Sequence, residues 1–440
     1  MAARFNFTVS LLVIAAFALG ACSSDKKPPL PGQRISVLQY QDSSRADKEA
    51  QKTPVKLGAP QENLAWPQQG GNASHTPQNL ALYDGRLKKA WSASVGEGSK
   101  KDRKLITAPI AADGMVFAAD TTGNINAYNI ANGKRLWRVS VLANEDDATV
   151  SSGLAYNKGV LFVADGIGNV LALDAKDGRK IWTRVTEQPV RGSPTVQGDR
   201  VYVITLSDET LALNAANGEI LWRHEGVQEA ASFLGSPSPA VEGSVVISPY
   251  SSGDVVALRS ETGQEAWSDN LTGAAEAENR AVTQLAGFHG SPVLDQDVVY
   301  LGNASTRMVA VHVPSGERVW QKEFGLLTTP WLSGNMVYVI TSQNELVALL
   351  KETGQIRWAL PLPHFEDPKD REDAIFWEGP ILAGGRLLLV SSNERLLEVD
   401  VVNGKILRET DLPDKVMLPP VVANKMLLIL TDDGEMVAYK

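Results

Sequence analysis

The sequence predicts an all-β fold, an eight-bladed β-propeller with four-stranded blades, the last blade closed by an N-terminal strand. Three observations carry the prediction. A tryptophan recurs at a near-constant interval, as Trp91, Trp137, Trp182, Trp222, Trp267, Trp320 and Trp358. A glycine stands four residues before six of these (Gly133, Gly178, Gly218, Gly263, Gly316, Gly354), and an alanine ten before (Ala127, Ala172, Ala212, Ala257, Ala310, Ala348). The two ends of the repeating region are complementary. The last copy lacks its fourth strand, and a lone fourth strand, residues 86–95, precedes the first complete copy. A repeat of about 45 residues holding four strand-like runs is the pattern of a propeller blade.

Each unit reads the same way from its start. A proline opens five of them, 28 residues ahead of the tryptophan (Pro109, Pro194, Pro239, Pro292, Pro330), and Leu154 takes that place ahead of Trp182. A short strand follows the proline, as in Pro194-Thr195-Val196, then a second of the type Val201-Tyr202-Val203-Ile204. The third, of the type Leu211-Ala212-Leu213-Asn214, runs into an Asn-Gly turn at Asn217-Gly218, a strong hairpin signal. The fourth carries the tryptophan. A large flat side chain suits the wedge between facing blades, the alanine leaves room for it, and the glycine permits a positive-φ turn. A seventh copy begins at Pro380 and keeps Gly404, but has Arg408 in place of Trp and Glu398 in place of Ala; an eighth begins at Pro420 and keeps Gly434 and Ala438. Pairing its three strands with residues 86–95 closes the ring and leaves no exposed sheet edge.

Ahead of the repeats the chain changes character. Arg4, an apolar run from Val9 to Leu19 and then small residues read as a signal peptide over residues 1–21, too short to span a membrane as a helix. Leu19-Gly20-Ala21-Cys22 resembles the lipobox of bacterial lipoproteins, which implies cleavage before Cys22 and its acylation, palmitate included. Cys22 is the only cysteine in the chain, so it has no disulfide partner, in keeping with a lipid role. By analogy with enteric lipoproteins, Ser23 after it implies sorting to the outer membrane, facing the periplasm. Residues 22–65 lack apolar periodicity and read as a flexible tether, with the propeller occupying 66–440.

Charge and motifs narrow the function. The net charge is -9 with both signs interspersed, and no basic stripe is present, which argues against nucleic-acid binding. The five histidines (His75, His224, His289, His312, His364) have no metal-ligand spacing, and no Gly-x-Ser-x-Gly or phosphate-loop motif occurs. The sequence therefore predicts no catalysis, no metal and no cofactor. Asn72-Ala73-Ser74 matches a glycosylation acceptor pattern by chance, and Asp174 and Asp400 fit turn hydrogen bonding.

The run Ala172-Leu173-Asp174-Ala175-Lys176-Asp177-Gly178-Arg179-Lys180-Ile181-Trp182 resembles the tryptophan-docking repeat of the pyrroloquinoline quinone propellers. Over residues 86–440, and in the lipobox, the chain is similar to the BamB branch of that superfamily, the outer-membrane protein assembly factors. Compact blades and the absence of an adjacent cysteine pair separate it from the quinoprotein dehydrogenases. The resemblance implies a scaffold of the β-barrel assembly machinery that binds periplasmic domains of BamA and assists assembly of unfolded outer-membrane proteins. The alternatives are a quinone-binding enzyme and a scaffold of another envelope complex.

Loops joining each tryptophan strand to the next proline vary in length and share one face of the ring, where binding on a rigid scaffold usually sits. Two adjacent ones are singled out, 227–238 with Ala231, Phe233 and Leu234, and 269–291 with Arg280, Phe288 and His289. The resemblance places the partner contact there. Leu234, Gly287 and His289 stand where the family pattern has an arginine and aspartates, so a mainly apolar contact centred on Phe233 and Leu234 is expected. A third loop, 359–379, pairs charges with Ile375-Phe376-Trp377, either as an interface anchor or as a cap over the blade.

Overall fold

A computed structural model describes residues 44–142, 153–190, 192–228, 237–272 and 287–440. Among these, eight four-stranded antiparallel sheets follow one another along the chain. Blades 1 to 7 span residues 110–140, 153–185, 195–225, 240–270, 293–322, 331–361 and 377–411. Blade 8 combines strands at 421–439 with Lys89–Ser94, which pairs antiparallel with Glu435–Tyr439. The predicted closure by an N-terminal strand is therefore what the chain does. In blade 2, for example, the two middle strands are largely buried and the outermost alternates exposed with half-buried residues.

The repeat residues meet as a set. Each docking tryptophan lies directly opposite its blade's alanine, as in Ala172↔Trp182 and Ala438↔Trp91. Its indole Nε1–H donates to a backbone carbonyl at the third-to-fourth-strand turn of the next blade, at 2.5–3.2 Å in all seven cases. Its ring lies on the glycine of that turn. Gly218, at φ +70°, shows why glycine recurs: a Cβ there would come 2.6 Å from Trp182 Cε3. The residue supplies both a left-handed backbone and the space that seats its neighbour's indole. Gly218→Ala is expected to cost about 2–4 kcal/mol, from the backbone strain and the overpacking together. Chemical unfolding would measure it, and a loss no larger than that of an exposed-strand substitution would reject the account.

The junction from blade 7 to blade 8 is built differently. The outer strand of blade 8 arrives from the N-terminal side, so no turn joins it to the Tyr439 end and no glycine awaits a tryptophan. Backbone carbonyls of residues 83–85 occupy the place, and they need donors. Arg408 Nη1 donates to the Gly85 carbonyl at 3.3 Å and Arg386 Nη2 to that of Tyr83 at 2.9 Å. Glu398, fully buried, accepts from both guanidiniums and balances them. The paired departures at 398 and 408 are thus one exchange: they face each other across the strands, as Ala and Trp do elsewhere.

Residues 22–65, expected as a flexible tether, differ from that reading over 44–65. Asp47 exchanges hydrogen bonds with the Ile356 backbone, a short helix Lys48–Lys52 follows, and Arg357 binds the carbonyls of Ala50 and Thr53. Lys56 then reaches Asn335. Each of these contacts has a backbone group on at least one side, and such bonds leave little imprint on apolar patterning. The signal peptide and Cys22 lie outside the described residues.

Residues 63–80 make a circuit of the propeller's bore, meeting the innermost strand of every blade in turn. Asn63 bonds Val422 of blade 8, Trp66 pairs with Ala111 of blade 1, and the Pro67 carbonyl accepts from Tyr156 N of blade 2. Gln68 binds Val196 of blade 3, while the carbonyls of Ala73 and Ser74 accept from Val241 and Leu294 of blades 4 and 5. The Gln78 carbonyl takes Trp331 Nε1–H of blade 6, and Leu80 bonds Leu382 and Gly384 of blade 7. Inner strands have an unpaired edge facing the axis, and this segment satisfies part of each. The Asn72 carboxamide accepts Thr76 N at 2.9 Å and fixes the turn at the centre of the circuit.

Candidate functional site

The circuit touches inner strands close to their first turn, at the end of the bore away from the connecting loops. Above it lies a cavity of about 940 Å³. Its floor is Trp66, Gln69, Gly70 and His75 from the circuit, and its wall is the residues leading into the inner strands, among them Thr107, Ser193, Ser238, Ser291 and Thr328. The bore is consequently a funnel floored at one end, its wall made from the bases of the variable loops. Trp66 and Trp331 face each other at the floor with ring centroids 6.2 Å apart and planes 19° from parallel.

Two ionisable groups there are held neutral. His75 is 2% exposed; its Nδ1 lies 2.7 Å from the Pro292 carbonyl and so carries the proton, leaving Nε2 without a partner. Burial lowers its pKa to about 4, an effect the Pro292 bond only partly offsets. Glu378, half-buried on the wall, is raised to about 8 by desolvation. The His75 shift fixes a pH dependence. The unfolded chain binds a proton near 6.5 and the folded chain only near 4, so stability is full above pH 6.5 and falls as pH drops towards 4. The loss is about 3 kcal/mol at its limit. His75→Gln is expected to flatten this part of the stability profile relative to the parent chain; profiles that remain parallel from pH 6.5 to 4 would refute it.

The predicted partner residues fall out unevenly. Ala231, Phe233, Leu234 and Arg280 lie outside the described residues. Phe288, expected at the partner surface, is instead 3% exposed and packs with Leu271 and Leu301 between blades 4 and 5. An apolar residue five positions before the buried strand Val293–Asp295 has the packed interior within reach, and it takes it. His289 lines the funnel with part of its surface exposed; desolvation of its ring lowers its pKa, opposed by a hydrogen bond to the Leu327 backbone. In the third loop the aromatic pair divides. Trp377 is buried with its Nε1–H on the Pro363 carbonyl, whereas Phe376 is 52% exposed and lines the funnel. Ahead of the pair, Phe365–Asp367 and Glu372–Ala374 form a small hairpin.

Sequence reasoning missed the floor altogether. Its one signal was Trp66, a tryptophan outside the repeat register in a stretch otherwise polar and glycine-rich. Among the described residues no group of His, Cys, Asp or Glu is arranged to hold a metal ion. The arrangement offers a rigid ring, a face of variable loops and a polar funnel leading inward from it.

Comparison with known proteins places these features. A family profile described as outer membrane protein assembly factor BamB matches residues 76–152 and 121–360. An uncharacterized protein of Rickettsia conorii is 28% identical over 72% of this chain and 76% of its own length. The outer membrane protein assembly factor BamB of Yersinia pestis is 26% identical over 80% of this chain and 88% of its own. Among solved structures, BamB from Moraxella catarrhalis superposes with a TM-score of 0.65 at 17% identity, covering 81% of this chain and 98% of that one. The quinohemoprotein alcohol dehydrogenase of Comamonas testosteroni gives 0.66 at 13% identity, over 90% and 83%. At such identities both likenesses concern the fold alone.

Proposed function

The chain belongs to the outer membrane protein assembly factor BamB family, and from that premise we propose that it is a non-catalytic scaffold lipoprotein of outer-membrane β-barrel assembly. It is anchored by acylated Cys22 to the periplasmic face of the outer membrane. It binds periplasmic domains of BamA through loops 227–238 and 269–291 and assists the assembly of unfolded outer-membrane proteins. The observation that carries this reading is the family match over most of the propeller. The geometry supports it: variable loops spring from rigid blade ends and converge on one face, the arrangement of a docking platform.

Phe233 and Leu234 supply the apolar centre of that contact. Co-purification from gently solubilised envelopes is expected to recover the barrel-assembly core with the parent chain. Phe233→Ser with Leu234→Ser is expected to abolish that recovery while leaving the melting temperature unchanged. Recovery of a different complex would overturn the functional reading, and a large fall in stability would show that the two side chains belong to the blade interior.

A further inference from the structure

The outermost strands form the rim of the propeller, and charge is spread unevenly around it. Between three residues before the docking position and three after it, blade 8 (88–94) holds two cations, blade 1 (134–140) three and blade 2 (179–185) three, and none of the three holds a carboxylate. Blades 3, 4, 5 and 7 each carry two carboxylates in the same window, Arg408 standing at the docking position of blade 7. Blade 6 has Arg357 alone, and it is engaged with Ala50 and Thr53. Blade packing requires the tryptophan, the glycine and the alanine; it makes no demand on charge at the exposed positions between them. Eight cations without a carboxylate, on three consecutive blades of a chain whose net charge is -9, are therefore not a product of the fold. They come from three segments of the chain, so no single basic run marks them in the sequence.

Most of this charge is free to act outward. Lys88, Lys134, Arg135 and Lys180 are exposed and make no ion pair among the described residues. Lys89, Arg138 and Arg179 each meet one carboxylate of their own blade at 3.3–3.4 Å. Such pairs at a surface are weak and leave the cation available. Arg184, half-buried, donates to the Gly218 carbonyl at 2.6 Å. Among the cations stand exposed apolar side chains: Leu136 is 49% exposed, Ile181 44% and Val185 63%. Cations set among exposed apolar side chains suit the boundary between anionic headgroups and acyl chains, where the first meet phosphate and the second leave water.

We propose that the rim of blades 8, 1 and 2 docks on an anionic lipid surface, with its cations on headgroup phosphates and Leu136, Ile181 and Val185 at the edge of the acyl layer. The inference rests on the lipoprotein reading for one point only: a chain acylated at Cys22 is held where a bilayer is always within reach. The acyl anchor sets the distance from the membrane, and the rim sets which side of the ring turns to it. Attraction of basic residues to anionic lipid acts within a Debye length, so it favours the basic side over the acidic ones. Blades 4 and 5, across the ring, then point away from the membrane. The BamA contact is separate, since it lies on the loops and not on the outer strands.

The test is flotation of the mature chain, residues 22–440 with Cys22→Ser so that it carries no acyl group, on vesicles of phosphatidylcholine alone and of phosphatidylcholine with an equal part of phosphatidylglycerol. The chain is expected to float with the anionic vesicles and not with the neutral ones, and to be released at about 1 M salt, where screening leaves a reach of only ~3 Å. Lys134→Glu with Arg135→Glu is expected to weaken binding at least tenfold at an unchanged melting temperature. Lys322→Glu with Lys405→Glu, the same charge change on the outer strands of blades 5 and 7, is expected to leave binding within about twofold of the parent. The proposal is overturned if neither vesicle binds, if both bind equally, or if the two double variants weaken binding alike. Binding to polyglutamate without binding to the anionic vesicles would also overturn it and assign the rim to an acidic polypeptide. With no acyl chain present, each of these failures counts against the rim alone and leaves the anchor at Cys22 as it stands.

Discussion

Removing residues 420–440 is expected to abolish cooperative unfolding and leave a collapsed, protease-sensitive chain. The segment supplies three of the four strands of blade 8. Without it Lys89–Ser94 loses its pairing partner, and the seat of Asn63 on Val422 and Asn424 disappears. Blades 1 and 7 would each face water on a side that is now buried, and a sheet with bare edges invites association with other chains. Calorimetry and limited proteolysis of the shortened chain measure this. A single melting transition near that of the parent would sink the account of closure given above.

Glu398→Ala is expected to cost about 3–5 kcal/mol, the range for stripping a partner from a buried ion cluster. Arg386 is 3% exposed, and it would keep its charge with nothing to balance it. Restoring the repeat's usual alanine at this one position should therefore harm the chain, against the intuition that consensus residues stabilise. Urea unfolding beside Glu409→Ala, at an exposed carboxylate on the neighbouring strand, provides the comparison. Equal effects in the two variants would mean that the cluster contributes no more than a surface pair does.

The architecture was legible because a docking tryptophan, a tight glycine and a small alanine are required together at each interface. Their joint spacing therefore reports blade geometry, and even the closing strand followed from it. The exceptions were legible only as exceptions. Arg408 and Glu398 stood out in register, but the carbonyls of Tyr83 and Gly85 that explain them come from more than 300 positions away. The circuit at residues 63–80 was hidden for a different reason. It is held largely through backbone groups and carboxamides, and a backbone bond leaves no pattern of side-chain type. Phe288 shows the limit at the site itself. Composition marks a loop as apolar, but which way each apolar residue faces is settled by the packing around it.

The circuit inside the bore also has a consequence in time. Residues 63–80 leave the ribosome before any blade, yet their seats are spread over inner strands from Ala111 to Val422. No early, local structure can hold them, and contacts this distant along the chain are slow to form. The segment must wait in an open state while the whole repeat array is made, and it locks only when the ring assembles around it. For a chain predicted to cross a membrane before it folds, such a delay is useful. Stable structure is deferred until nearly all of the polypeptide is on the far side.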